Sequence, residues 1–279
     1  MTIHSSRDLF AWAHDKQTSL VAFNVITIEQ VEAIAWSAEE SGTPVIAQLS
    51  ENAIDYHRAP GAIAAAMARV AESSSAPVAL HLDHITRRDL AMSCVDLGFS
   101  SLMWDSSTIG YTENVEQTRN ICEWAHENQL WVESELGEIG GKDGAHAPGV
   151  RTDPAEAARF VADTGVDALA VAVGSSHAMT DRSAQLDLNL IERISQACSV
   201  PLVLHGSSGV PDADLVAASR AGMRKINIGT ALSIAFTGAL RQHLESHQDT
   251  VDPRKYLQAA REATVKEVSH FLRLISKPF

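Results

Sequence analysis

The chain has 279 residues with a formal net charge of -13 and a pI near 5.3, the wrong sign for nucleic acid or an anionic membrane surface as partner. A phosphorylated small molecule stays open, because a metal or oriented backbone N–H groups can reverse the sign locally. Cys94, Cys122 and Cys198 are odd in number and widely spaced, without a disulfide or metal-binding pattern.

The start lacks a basic segment followed by an apolar one, and no apolar run is long enough to cross a bilayer. The expected location is a reducing cytoplasm. In chain order, strands are predicted over 19–25, 44–50, 77–84, 101–105, 131–136, 168–173, 202–205 and 225–228. They are short and nearly continuously apolar, as strands buried on both faces should be. Amphipathic stretches at 27–41, 87–97, 114–128, 153–164 and 186–197 lie between them. Asp153-Pro154 is a good helix start, and Gly42, Gly98 and Gly165 sit where helices should stop.

Eight such units without a linker predict an α/β fold. The expectation is a closed (β/α)8 TIM barrel, one domain over 1–279 with extra C-terminal helices. An open doubly wound sheet is the alternative, but no Gly-x-Gly-x-x-Gly turn follows the first strand.

His84, His177 and His205 each stand at or just past the end of a predicted strand. Any one alone would more often be a core or loop residue. In a parallel barrel, however, strand C-termini converge on one face. Three neutral imidazoles that leave a coordination position open suit a catalytic zinc. The pattern points to an enzyme.

Other strands end on polar residues: Asn24, Ser50, Asp83, Asp105, Glu135 and Asn227. Asn24 and Ser50 fit a capping contact as well as a substrate contact. Asp83 is harder to dismiss, because a carboxylate in an apolar run is costly to bury unless paired or metal-bound. Strand alternation puts it on the same face as His81, and a carboxyl beside a zinc ligand is well placed for proton transfer. The turns His205-Gly-Ser-Ser-Gly209 and Asn227-Ile-Gly-Thr230 follow strands seven and eight. Barrel enzymes often hold a phosphate there on backbone N–H groups and hydroxyls, although ordinary tight turns look similar.

These motifs together resemble the class II, zinc-dependent ketose-bisphosphate aldolases, over essentially the whole chain. The matching stretches are Ala22-Phe-Asn-Val25, His81-Leu-Asp-His84, Glu133-Ser-Glu-Leu-Gly137 with Gly140-Gly141, 167–174 leading to His177, His205-Gly-Ser-Ser-Gly209, Asn227-x-x-Thr230 and Asp252-Pro-Arg-Lys-Tyr256. The resemblance implies reversible cleavage of a ketose (bis)phosphate, such as fructose or tagatose 1,6-bisphosphate, to dihydroxyacetone phosphate and an aldehyde. Zinc would polarise the donor ketone and stabilise the enediolate.

It implies His84, His177 and His205 as zinc ligands, Asp105 and Glu135 near an alternative metal position, and Asp83 as the acid/base. Asn24, Ser50, Gly206, Ser207, Ser208, Asn227, Gly229 and Thr230 would bind substrate. A second divalent ion or a monovalent cation, and a homodimer or homotetramer, belong to the same implication. The separate base, a loop glutamate in the family, has Asp143 as its nearest counterpart here.

Departures touch the substrate pocket. His177 runs into Ala-Met-Thr-Asp-Arg182 where the family has His-Gly and a Tyr-Lys-Gly segment. Arg182 fits either a replacement for that lysine's charge or an ordinary exposed arginine. Ile85 and Ser106 replace smaller or different residues near the metal histidine and Asp105. Three competing classes are a Schiff-base aldolase using Lys225, a zinc hydrolase sharing the histidines, and a non-catalytic metabolite-binding or assembly subunit on this scaffold.

Overall fold

Eight parallel strands pair in sequence order, and the last returns to the first, which closes the barrel. The computed structural model describes residues 4–136, 151–176 and 179–278. The strands are β1 (Leu20–Asn24), β2 (Val45–Ser50), β3 (Val78–Ile85), β4 (Ser101–Trp104), β5 (Trp131–Leu136), β6 (Ala168–Val171), β7 (Leu202–Leu204) and β8 (Met223–Ile228). Closure is set by β1 against β8, with Leu20 opposite Lys225 and Ala22 opposite Asn227. The expected (β/α)8 TIM barrel is therefore present, with predicted strand ends displaced by a few residues at most.

Helices cover the outside. They include α1 (Ser6–Asp15), α2 (Ile28–Ser41), α3 (Glu51–Tyr56), α4 (Gly61–Ser73), α5 (Arg88–Met92) and α6 (Tyr111–Glu127). The later ones are α7 (Pro154–Thr164), α8 (Leu188–Ala197), α9 (Asp212–Ala221), α10 (Thr230–Ser246) and α11 (Pro253–Ile275). Asp153 caps α7 by accepting from the Ala155 and Glu156 N–H groups, with Pro154 at its first turn. The predicted helix over 87–97 is shorter as an α-helix. Beyond Met92 the chain tightens into three-residue turns, with Cys94 N–H donating to Ala91 and Gly98 N–H to Val95. None of the described helices is long and apolar enough to cross a membrane.

The apolar residues divide into two cores. The larger lies between the strands and the helices, with Val21, Phe23, Leu80, Leu102 and Phe160 among its members. The smaller fills the barrel's interior floor: Leu20, Ala22, Ile46, Ala79, Ala168, Ala170 and Val203. Leu9, Phe10 and Ala13 of α1 plug that floor from below, and Phe10 stacks on Trp131 at 4.8 Å. Each large side chain buried there contributes about 1.5–3 kcal/mol. The functional groups are thereby left to the opposite, C-terminal end.

One glycine controls that end. Gly206, just beyond β7, has φ +66, and a Cβ on it would meet the Ser176 backbone at 2.5 Å. Only glycine gives both the left-handed backbone and the close approach of the loop following β6. Gly206→Ala should lower stability by at least about 1–3 kcal/mol. An unchanged urea midpoint in that variant would show that the two loops do not pack this way.

Candidate active site

In a regular strand, Asp83 and His84 would point to opposite faces. Here the β3–β4 register shifts between Leu82 and Ile85, and His84 has φ +52. A bulge of this kind redirects a side chain, and both residues contact groups at the barrel's C-terminal mouth. Asn24 Nδ2 donates to Asp83 Oδ2 at 2.8 Å, and Gln48 Nε2 donates to Asn24 Oδ1 at 3.0 Å. Gly229 makes room for this relay, since a Cβ there would lie 2.9 Å from Asn24 Oδ1.

His84 Nδ1 lies 2.7 Å from Asp105 Oδ2. A carboxylate only accepts, so Nδ1 donates, and Nε2 is the ring nitrogen turned away from Asp105. Asp105 is anchored in turn by the Ser107 N–H and hydroxyl at its other oxygen, 3.2 and 2.7 Å away. The His84 ring meets the His205 ring edge-on, with centroids 4.7 Å apart.

His205 is completely buried between two carboxylates of β5. Its Nδ1 is 3.0 Å from Glu135 Oε2 and its Nε2 is 3.0 Å from Glu133 Oε1. Glu133 Oε2 also accepts from Lys225 Nζ at 2.6 Å. Burial alone would lower the His205 pKa, but the bonds to Glu133 and Glu135 raise it to about 9. The pocket is built to hold positive charge. Burial likewise works to raise Asp83, yet His84, His205, Lys225 and His81 pull it down to about 2. Asp83 is therefore a carboxylate at neutral pH. Its Oδ1 is buried and has no hydrogen-bond partner among the described residues.

Among the described residues, one group has the spacing to hold a metal: His84, Glu135 and His205, with one donor atom from each lying within 4.8 Å of the others. Two imidazoles and a carboxylate are an ordinary zinc donor set. Each imidazole also carries a carboxylate on its other nitrogen, Asp105 for His84 and Glu133 for His205. Such outer partners fix ring orientation and tautomer in metal sites. The residues fit the ion.

The expected site residues are sorted by this geometry. Asp83, His84, Glu135 and His205 come together, with Asn24 beside them. The Asp105 carboxylate lies behind the His84 ring, with Oδ2 on Nδ1 and Oδ1 on the Ser107 hydroxyl. His177 and Asp143 lie outside the described residues. Ser50 caps α3 by accepting from the Ala53 N–H, and the buried Ser207 hydroxyl donates to the Leu204 carbonyl. Those two hydroxyls hold local turns.

Ser208 Oγ accepts from the Ala231 N–H in the first turn of α10, so the turns after β7 and β8 do meet. Arg182 is committed elsewhere: it donates to the Val210 carbonyl and pairs with Asp212 at 2.5 Å. Its charge serves the start of α9, which leaves no support for its replacing a phosphate-binding lysine. Lys225 is held by Glu133 as part of the layer below the mouth.

Gln48, His81, Ser101, Glu133 and Lys225 form that layer, which the sequence reading did not assemble; it weighed Lys225 only as a Schiff-base lysine. His81 Nδ1 meets Ser101 Oγ at 2.8 Å, and burial, then the Lys225 charge, lowers its pKa to about 3. The signal was available. Each of His81, Glu133 and Lys225 lies two residues before Asp83, Glu135 or Asn227, and side chains on one face of a strand repeat every second residue.

Fold and site together describe a TIM-barrel enzyme scaffold whose C-terminal mouth carries a metal donor group and an ionised aspartate. A family model described as fructose-bisphosphate aldolase class-II matches residues 4–277. The chain belongs to that family, whose members are carbon–carbon lyases. It is 35% identical over 276 residues to a 6-phospho-5-dehydro-2-deoxy-D-gluconate aldolase of Bacillus licheniformis, covering 98% of this chain and 94% of the relative. A protein of the same name from Shouchella clausii is 37% identical over 270 residues, covering 94% and 92%. The crystal structure of the YdjI aldolase from Escherichia coli K12 superposes with a TM-score of 0.87 at 30% identity, covering 100% of this chain and 98% of that one.

Proposed function

We propose that this aldolase is zinc-dependent and cleaves a phosphorylated 5-keto sugar acid of the kind named in its two bacterial relatives. The observation that carries the catalytic part is the convergence of His84, Glu135 and His205 beside an Asp83 carboxylate oriented by Asn24. The relatives favour the sugar acid over the ketose bisphosphate expected from sequence. In 6-phospho-5-dehydro-2-deoxygluconate the C5 ketone and the C3 hydroxyl stand in the β relation that aldol cleavage requires. Breaking C3–C4 leaves dihydroxyacetone phosphate and a three-carbon aldehyde acid, so the donor half is the same as that of a ketose 1,6-bisphosphate.

When bound, the zinc supplies Lewis-acid polarisation of the donor carbonyl. His84, His205 and His177 would hold it, with Glu135 in reach. Asp83 takes the proton from the hydroxyl on the carbon that becomes the aldehyde, and returns it in synthesis. Asn24, itself held by Gln48, fixes the carboxylate for that transfer. Asp143 remains the proposed second base.

The phosphate reading places the donor phosphate at Gly206, Ser208, Asn227, Gly229 and Thr230. Its support is the junction of the β7 turn with the N-terminus of α10, a 17-residue helix, because helix N-termini favour anions. Thr230→Val should raise KM for a phosphorylated substrate by about 10-fold, the worth of one hydrogen bond to a charged group. The unphosphorylated analogue and zinc content should change little, and equal losses for both substrates would mean packing alone.

The substrate assignment is tested by supplying zinc-loaded enzyme with the sugar acid, fructose 1,6-bisphosphate and tagatose 1,6-bisphosphate, with release of dihydroxyacetone phosphate followed. The highest kcat/KM is expected for the sugar acid. A higher value for either bisphosphate would return the enzyme to the ketose-bisphosphate reading.

A further inference from the structure

Glu133 and Lys225 form an ion pair in the interior of the barrel, each with side-chain exposure of 1%. Burying two charges costs several kcal/mol per ion, and apolar residues of similar volume often replace such pairs without loss of stability. The strand partners beside the pair, Ala168 opposite Glu133 and Val203 opposite Lys225, are apolar. The pair also does more than neutralise itself. One oxygen of Glu133 accepts from Lys225 Nζ at 2.6 Å and the other meets His205 Nε2 at 3.0 Å. A carboxylate held at both oxygens cannot rotate away from the ring.

We propose that Glu133 and Lys225 are positioning residues for the metal centre: they fix His205 with Nε2–H bonded inward and Nδ1 turned toward His84 and Glu135. The inference rests on reading His205 as a zinc ligand. Its geometry is the carboxylate–imidazole pairing that orients metal ligands, extended one residue deeper by a lysine that locks the carboxylate. Asp105 and Ser107 do the same for His84, so the two described imidazoles are each held from behind.

Two variants test it in the full chain: Glu133→Gln, and Glu133→Gln combined with Lys225→Met, which leaves no unpaired ammonium in the interior. Each is stripped of metal and titrated with zinc against a chromophoric chelator, then reloaded with cobalt(II) for its visible absorption. Circular dichroism and thermal melting follow the fold, and His205→Ala serves as the ligand control. Folded variants should bind zinc about 10–100-fold more weakly and show a displaced cobalt band, a signature that looser barrel packing would not give. Parental zinc affinity and cobalt spectrum in either folded variant, with weakened binding in His205→Ala, would overturn the positioning role and leave the zinc reading intact. Failure of both variants to fold would assign the pair to the barrel and also overturn it. A parent protein or His205→Ala variant that contradicts zinc binding at His205 would remove both readings together.

Discussion

Replacing His84 or His205 by alanine is expected to cost more than about 100-fold in zinc affinity, since loss of an outer partner alone costs about 10–100-fold. Cleavage should fall with it. His177→Ala is expected to behave alike on the sequence pattern. The barrel should stay folded, because its two apolar cores pack between strands and helices and around α1, below the mouth. The measurement is elemental zinc per chain after dialysis, beside the retro-aldol rate and the thermal midpoint. Stoichiometric zinc and parental turnover in these variants would move the metal site elsewhere.

Asp83→Asn carries the second large effect. The amide keeps the volume and can still accept from Asn24 Nδ2, but it cannot take a proton from a substrate hydroxyl. In the parent, nearby His84, His205, Lys225 and His81 keep this group ionised down to about pH 2. It is thus in the base form for cleavage at neutral pH. The variant should retain zinc and lose roughly two to four orders of magnitude in kcat, the range for a positioned acid or base, with KM little changed. A parental kcat would make Asp83 an anchor for Asn24 and nothing more.

The barrel was legible because parallel strands buried on both faces must be written as apolar runs. Its mouth was legible because polar residues at the ends of those runs have few other reasons to be there. The adjacency of Asp83 and His84 was not resolved, since alternation alone sends them to opposite faces. The register shift and the left-handed backbone at His84 reunite them, and no residue type announces that bulge.

The plug helix α1 escaped the reading although Ser5, which accepts from the Asp8 N–H, is an ordinary capping signal. The polar layer beneath the mouth was not assembled from its separate residues, for another reason. What Gln48, Glu133 and Lys225 pair with is decided by strands far apart in sequence, Lys225 of β8 reaching Glu133 of β5. Arg182 shows the same limit, because its choice of Asp212 depends on where α9 begins.

The proposed zinc would sit at the barrel's C-terminal mouth, held by His84 and His205 beside Asp83. Anomalous diffraction collected at the zinc edge from crystals of the zinc-loaded enzyme tests it directly. A peak about 2.0–2.1 Å from one nitrogen of each histidine, on the side of His205 facing Glu135, is the expected result. No peak between His84 and His205, with zinc bound stoichiometrically elsewhere on the chain, would contradict it.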